Sequence, residues 1–479
     1  MTTKARVIGS LIVCSFFLAA CQQPSSKTTD STKSANANQP MLNVQFSAEM
    51  GSADLSLATD SYSFITLNNA YEGLYRLDEN NEPVIAGASE DAMISEDGMV
   101  YTIKLREDAK WSNGEPVTAE DYVFSWQRTV DPATASNYAY MLAPVKNAAA
   151  ISDGTKDKSE LGIEAVTSHE LKITLEKATP YFKSLLAFPT FFPQSEAVVQ
   201  EHGDQYALTS ANAVYNGPFT LEDYDGPGTD IQWTLKKNPE YWDAESVKLS
   251  GVQFDVVKES STSYNLYESG QADDITLSGE LAMQNVNHKD YVVQPSATTQ
   301  YLEMNQAAED SPFRNEKLRQ AISYSLNRQQ IVDQILGNGS LPAVGFVPSD
   351  LAFNPETKTD FVKDAGTSLP YDEEQAKKLW EQAKSELGKD TLTFELLTSD
   401  TDQSKKLAEY IQGTLQQTLE GLTVEVTNVP FSVRLDRSNS GDFEMVMNNW
   451  IGDYADPINF LELFKKDSSY NLSLIHISE

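Results

Sequence analysis

The sequence predicts an α/β protein, and three observations carry that prediction. Its last third alternates strand-like with helix-like runs. Its first folded third is built mainly of short, half-buried strands. Its 479 residues are enough for two or three domains with real cores, so neither pattern needs disulfide staples. The only cysteines, Cys14 and Cys21, both lie at the very start.

The first element is not part of the fold. Lys4 and Arg6 precede an apolar run from Val7 to Ala20 that closes on Leu18-Ala19-Ala20. A basic start, an apolar stretch and small residues make a secretory signal rather than a spanning helix. The cysteine that follows resembles the bacterial lipobox. That resemblance implies that residues 1–20 are a lipoprotein signal peptide and that Cys21 is lipidated and becomes the first mature residue. Two or more acyl chains hold a protein stably to a bilayer where one does not. Residues 21–40 are polar and poor in apolar side chains, which predicts a flexible linker.

From residue 41 the pattern changes. Leu42, Val44 and Phe46 alternate, as do Tyr101, Ile103 and Leu105, and both runs predict half-buried strands. Thr118 with Asp121 three residues on resembles a capping box and opens a helix through Trp126. Breaks at Gly217-Pro218 and Gly226-Pro227-Gly228 frame a strand over residues 231–235. Later, Leu318, Ile322, Leu326, Ile331 and Ile335 share one helical face, and Gly337 stops that helix. Residues 392–397 then predict a strand, 404–419 a helix, 422–429 a strand, 432–436 a short helix and 443–447 a strand. This order predicts a parallel sheet with covering helices.

Such sheets bind ligands at the carboxyl ends of their strands. The last strand runs straight into Asn449, Trp450, Ile451, Gly452, Asp453 and Tyr454. It delivers an indole and a carboxylate to the expected edge, although core packing for Trp450 and a turn or cap for Asp453 would also fit.

Charge narrows the class of partner. The chain has 36 Lys and Arg against 70 Asp and Glu, a net charge of −34. Clustered cations are needed to neutralise nucleic-acid phosphates or anionic head groups, so nucleic acid is excluded as a partner. His169, His202, His288 and His476 are scattered without metal-ligand spacing. Neither a Gly-x-Ser-x-Gly elbow nor a His-Glu-x-x-His helix occurs, which argues against a secreted hydrolase. No metal or cofactor is expected.

Several motifs, in order, carry a family resemblance. YTIKLREDAKWSNG at 101–114 and VTAEDYVFSWQR at 117–128 closely resemble the oligopeptide-binding lipoproteins of ABC importers, the family 5 extracellular solute-binding proteins. So do NGPF at 216–219, NPEYW at 238–242, FRNEKLRQAI at 313–322 and WIGDYADP at 450–457. The resemblance implies a two-lobed periplasmic-binding-protein-like fold with an extra inserted domain, of the cluster C type. Lobe I would comprise 41–74 and 196–298, the inserted domain II 75–195, and lobe III 299–472. It further implies a monomeric receptor on the outer face of the bacterial cell membrane. That receptor would pass oligopeptides to a membrane permease served by separate ATPase subunits, and no Walker-type phosphate loop occurs in this chain.

A general peptide receptor must recognise what all peptides share, namely their main-chain groups and terminal charges. By similarity, Thr59, Asp60 and Ser61 on one side, and Asn449, Trp450 and Ile451 on the other, lend main chain to the peptide. Asp453 pairs with its α-ammonium group, while Asp456 orders the turn. Tyr138, Trp450 and Tyr301 line side-chain pockets. Thr298 and Ile451 stand where many relatives have a cysteine pair, so no cross-link over the cleft is available. Other ligands known to the wider family, namely dipeptides, peptide pheromones, nickel complexes, haem and oligosaccharides, are the alternatives. Residues 473–479 depart from the family pattern, which implies a non-native tail on a shortened lobe III.

Overall fold

The computed structural model describes residues 39–471 apart from 229, 367, 369, 466, 467 and 469. The signal, Cys21 and the tail at 473–479 lie outside the described residues.

Two four-stranded sheets organise the molecule. In the first, strand Met41–Phe46 lies parallel to Gly251–Val256, which pairs antiparallel with Gln232–Lys237, and Phe219–Glu222 closes the far side. Its inward face stacks Phe46, Trp233 and Phe254, with ring centroids 4.7 to 5.8 Å apart. A third, antiparallel sheet, built from strands between Met93 and Thr174, packs on helix Ala119–Val130. That helix begins as expected: the Thr118 N–H donates to Asp121 Oδ2 at 2.9 Å, and Trp111 Nε1 donates to the same oxygen at 3.3 Å.

The second sheet runs Thr298–Met304, Met445–Ile451, Leu392–Ser399, Leu422–Val429. Its last three strands are parallel, as the alternating pattern predicts, but Thr298–Met304 joins antiparallel. The sheet is therefore mixed. Its apolar faces pack on helices Glu316–Ser325, Glu373–Leu387 and Asp402–Thr418. The helix at 373–387 was not anticipated. Asp372 caps it, Gly388 ends it with φ 65°, and Trp380 anchors it by donating to Glu420 O at 2.8 Å.

Two element boundaries differ from expectation. The single helix expected over 318–335 breaks at Leu326, which is extended. Asn327 restarts the chain by accepting the Gln330 N–H at 3.1 Å, and a π-helical turn, Ile331–Leu336, ends at Gly337. A local side-chain cap competes well with a continuous helix at an asparagine. The helix expected at 432–436 extends over Phe431–Ser440, and the last strand runs to Ile451 because the Thr298 strand pairs with it throughout. Among the described residues no helix is long and apolar enough to cross a membrane.

Candidate functional site

A cavity of about 820 Å³ opens between the two sheets. Every predicted site residue of the body reaches it: Thr59, Asp60, Ser61, Tyr138, Tyr301, Asn449, Trp450, Ile451 and Asp453 all line its wall. Sequence positions nearly 400 apart are thus brought to one surface.

One wall is an open strand edge. Met445–Ile451 is paired along its whole length with Thr298–Met304, but with Leu392–Ser399 only at Met445 and Val446. From Met447 onward the second side has no strand partner among the described residues. In an antiparallel ladder, alternate residues send both main-chain groups to the same neighbour. The phase is set where Asn305 N–H donates to Glu444 O (2.9 Å) and Gly452 N–H donates to Ala297 O (2.8 Å). Even-numbered residues therefore bond to the Thr298 strand, and Asn449 and Ile451 turn their N–H and C=O groups to the open edge. This corrects the expectation for Trp450. Its main chain is committed to Thr299, and what it offers the cavity is its indole side.

The cysteine-pair positions need a correction too. Thr298 and Ile451 are register partners on adjacent strands. A cross-link there would staple one sheet rather than span the cleft.

The facing wall begins with helix Ser61–Ala70. Asp60 is its N-cap: its carboxylate accepts from Ser63 N–H (2.9 Å), Ser63 Oγ (2.5 Å) and Gly51 N–H (3.2 Å), and its carbonyl accepts from Phe64 N–H (3.0 Å). The Asp60 side chain is therefore structural. Burial raises its pKa against those hydrogen bonds. Ser61 lies in the first helical turn, where N–H groups have no intrahelical acceptor.

Asp453 is held by neutral donors. Tyr138 donates to Oδ1 at 3.3 Å, Tyr140 to Oδ2 at 3.3 Å, and Asn459 Nδ2 to Oδ2 at 3.1 Å. No cation lies within ion-pair distance among the described residues. Although partly open to the cavity, the carboxyl is crowded by rings, and this desolvation lifts it to about 7 against the pull of Asn459, Tyr138 and Tyr140. Fully buried Asn459 fixes the arrangement, since its Oδ1 accepts both the Asp453 N–H (2.9 Å) and the Trp450 indole (3.1 Å). Asp456 does order the turn, accepting the Ile458 N–H at 2.9 Å. Tyr301, opposite Asn448, packs edge-on to Phe346 at 4.9 Å.

Tyr140 and Asn459 were missed by the sequence reading. Tyr140 lies two residues beyond Tyr138, and Asn459 follows the Asp456 cap, so proximity to predicted residues was the only available signal.

Chemically, the cavity presents an unpaired carboxylate at one end of an open strand edge. Such a surface can bind a cationic group and extend a strand. It contains no cluster of side chains able to hold a metal ion among the described residues.

Residues 82–471 match the model for bacterial extracellular solute-binding proteins, family 5 middle. A dipeptide-binding protein of Lactococcus lactis is 37% identical over 98% of this chain and 85% of its own length. The structure of Listeria monocytogenes OppA bound to peptide superposes with TM-score 0.89 and 44% identity, covering 92% of this chain and 86% of that one. The murein tripeptide-binding protein MppA of Escherichia coli, 28% identical over 92% of this chain and 84% of its own, superposes at 0.81 in one structure but at 0.56 in its unliganded open form.

Proposed function

The chain belongs to the family 5 bacterial extracellular solute-binding proteins, and from that premise we propose that it captures oligopeptides by their main chain and free amino terminus. The observation that carries this reading is Asp453, a desolvated carboxylate with neutral donors and, among the described residues, no cation, set at the end of an open strand edge. A peptide supplies what both features lack: an α-ammonium group for Asp453 and main-chain partners for Asn449 and Ile451. Thr59 and Ser61 meet it from the other wall, with Tyr138, Tyr301 and the Trp450 indole around its side chains. Each main-chain hydrogen bond contributes about 1 kcal/mol net, so several act together. Losing one partner of a desolvated charge pair costs about 3–5 kcal/mol.

The captured peptide passes to the permease of an ABC importer, whose ATPase subunits are separate chains. The signal and lipobox support anchoring through Cys21 on the outer face of the membrane. The two sheets support division into lobes at 41–74 with 196–298 and at 299–472, with 75–195 as an insertion. The test is calorimetric titration with peptides of varied length, free or acetylated at the amino terminus. Acetylation should weaken binding at least a hundredfold, within the range that loss of such a pair implies, and Asp453→Asn should remove most of that difference. Equal binding of both forms by the unmutated protein would overturn the reading.

A further inference from the structure

The turn that ends the π-helical segment has no part in peptide capture, and its chemistry sets it apart. An asparagine followed by glycine is open to attack on its own side chain, because glycine leaves the next main-chain nitrogen uncovered. This chain has three such pairs, Asn113-Gly114, Asn216-Gly217 and Asn338-Gly339. All three hold the same reacting groups, so their surroundings decide which one reacts.

Two of the pairs are held back. Asn216 is 6% exposed, and its amide is engaged at both ends, accepting the Glu72 N–H at 3.1 Å and donating to Glu72 O at 2.8 Å. The Gly217 N–H donates to Ala70 O at 2.9 Å. Asn113 is exposed, but the Gly114 N–H donates to Trp111 O at 2.8 Å, and that bond must break before the nitrogen attacks.

Asn338 differs on each count. The Gly339 N–H has no hydrogen-bond acceptor among the described residues, and Gly339 and Ser340 are exposed to water. Ser340 donates twice to Asn338 Oδ1, from its N–H at 3.2 Å and from Oγ at 2.7 Å. The first bond closes a ring that contains the Gly339 nitrogen, so nitrogen and side-chain carbonyl share one tight turn. Both donors meet the oxygen on which negative charge gathers during attack, the arrangement that stabilises an oxyanion. The fold also keeps the glycine in place: Gly339 has φ 88°, and a Cβ there would lie 2.7 Å from Val293 Cγ1.

We propose that Asn338 is a self-modifying site, converting to aspartate and isoaspartate in the folded protein ahead of the other two pairs. The Gly339 nitrogen bonds to Asn338 Cγ as the bond from Cγ to Nδ2 breaks, and the proton lost by that nitrogen leaves with Nδ2 as ammonia. The cyclic imide takes up one water at either carbonyl and opens to aspartate or isoaspartate. Solvent water is the sole co-reactant. The product gains one negative charge and, in the iso form, one carbon in the main chain. The turn is seated on Met283 and Val293, and none of residues 337–340 lines the cavity, so the inference stands apart from the peptide reading.

The experiment incubates the protein at mildly alkaline pH, well below its thermal midpoint, and follows the three pairs by mass spectrometry after digestion. Asn338 should convert at least about fivefold faster than Asn113, which must first give up a hydrogen bond, and Asn216 should stay intact. In concentrated urea the three rates should converge. Ser340→Ala should slow conversion at Asn338 about fivefold in the folded protein and little in urea. Asn338→Gln should abolish the acidic species that ion exchange resolves from the aged protein. If Asn113 converts as fast as Asn338 in the folded state, or if the same order persists in urea, the fold does not select the site and the proposal is overturned. An unchanged folded-state rate in Ser340→Ala overturns the activation of Asn338 by its neighbour.

Discussion

At the scale of single residues, the role proposed for Asp453 makes capture depend on pH. Its value of about 7 in the free cleft lies well above the ordinary 3.8, and burial is the main cause. An ammonium group in the cleft favours the ionised form and so pulls the value down on binding. Affinity should therefore fall as pH drops through 7, by up to about tenfold per unit, and fall again above about pH 8, where the peptide's own α-amino group loses its proton. Near pH 7 binding should release about half a proton, measurable by calorimetry in buffers of different ionisation enthalpy. Asp453→Asn should flatten both profiles, and an unchanged pH profile in that variant would remove Asp453 from the site. The sign for the free protein runs the other way. A carboxyl raised by folding binds its proton more tightly in the folded state, so this group adds stability as pH falls from about 7 towards 4. Asp453 was legible in sequence because the WIGDYADP run carries it. Asn459 was not, because an asparagine holding an indole, an amide and a carboxylate looks like any other asparagine until the turn folds.

At the scale of elements, the Met445–Ile451 strand separates structure from binding residue by residue. Trp450 sends its N–H to the sheet, whereas Ile451 sends its N–H to the open edge. Proline removes one N–H and is tolerated where that group is not in a ladder. Ile451→Pro should weaken peptide binding severalfold while shifting the thermal midpoint little. Trp450→Pro should lower the midpoint sharply. Similar losses of stability in the two variants would contradict the assigned phase of the ladder. A second case is the break at Leu326. Asn327→Ala removes the cap on Gln330 and should cost about 1 kcal/mol in denaturant unfolding. The 3.6-residue apolar spacing ran straight through this point, because periodicity reports which side faces the core and not whether the backbone stays helical. The limits of the 422–429 strand, by contrast, were readable from Leu422 to Val429, where alternating apolar residues sit between a glycine and a proline.

At the scale of the whole molecule, the two sheets are tied across the cleft. Lys258, just after the first sheet, reaches both Asp400 oxygens at 2.8 Å and Glu49 at 3.5 Å, and the Ser432 N–H donates to Glu49 at 3.3 Å. On the other flank, Tyr181 stacks on Tyr454 at 5.1 Å. These contacts need the lobes together, consistent with the poorer superposition on the open form of MppA. Lys258 is partly exposed, so its ion pairs contribute about 1 kcal/mol at most. Lys258→Met should therefore weaken peptide affinity about fivefold, mainly through faster release, and raise the radius of gyration of the unliganded protein in X-ray scattering. A variant with unchanged release and radius would show that the pair does not hold closure. By itself the sequence determined the acidic body, the alternation of strands and helices, and the run that carries Asp453, since each is written in neighbouring residues. Only the tertiary structure decided which strand edge stays open, that Trp450 turns its main chain away, and that Tyr138 and Asp453 share one cavity. Those facts depend on pairings between residues hundreds of positions apart, and local spacing carries no record of them.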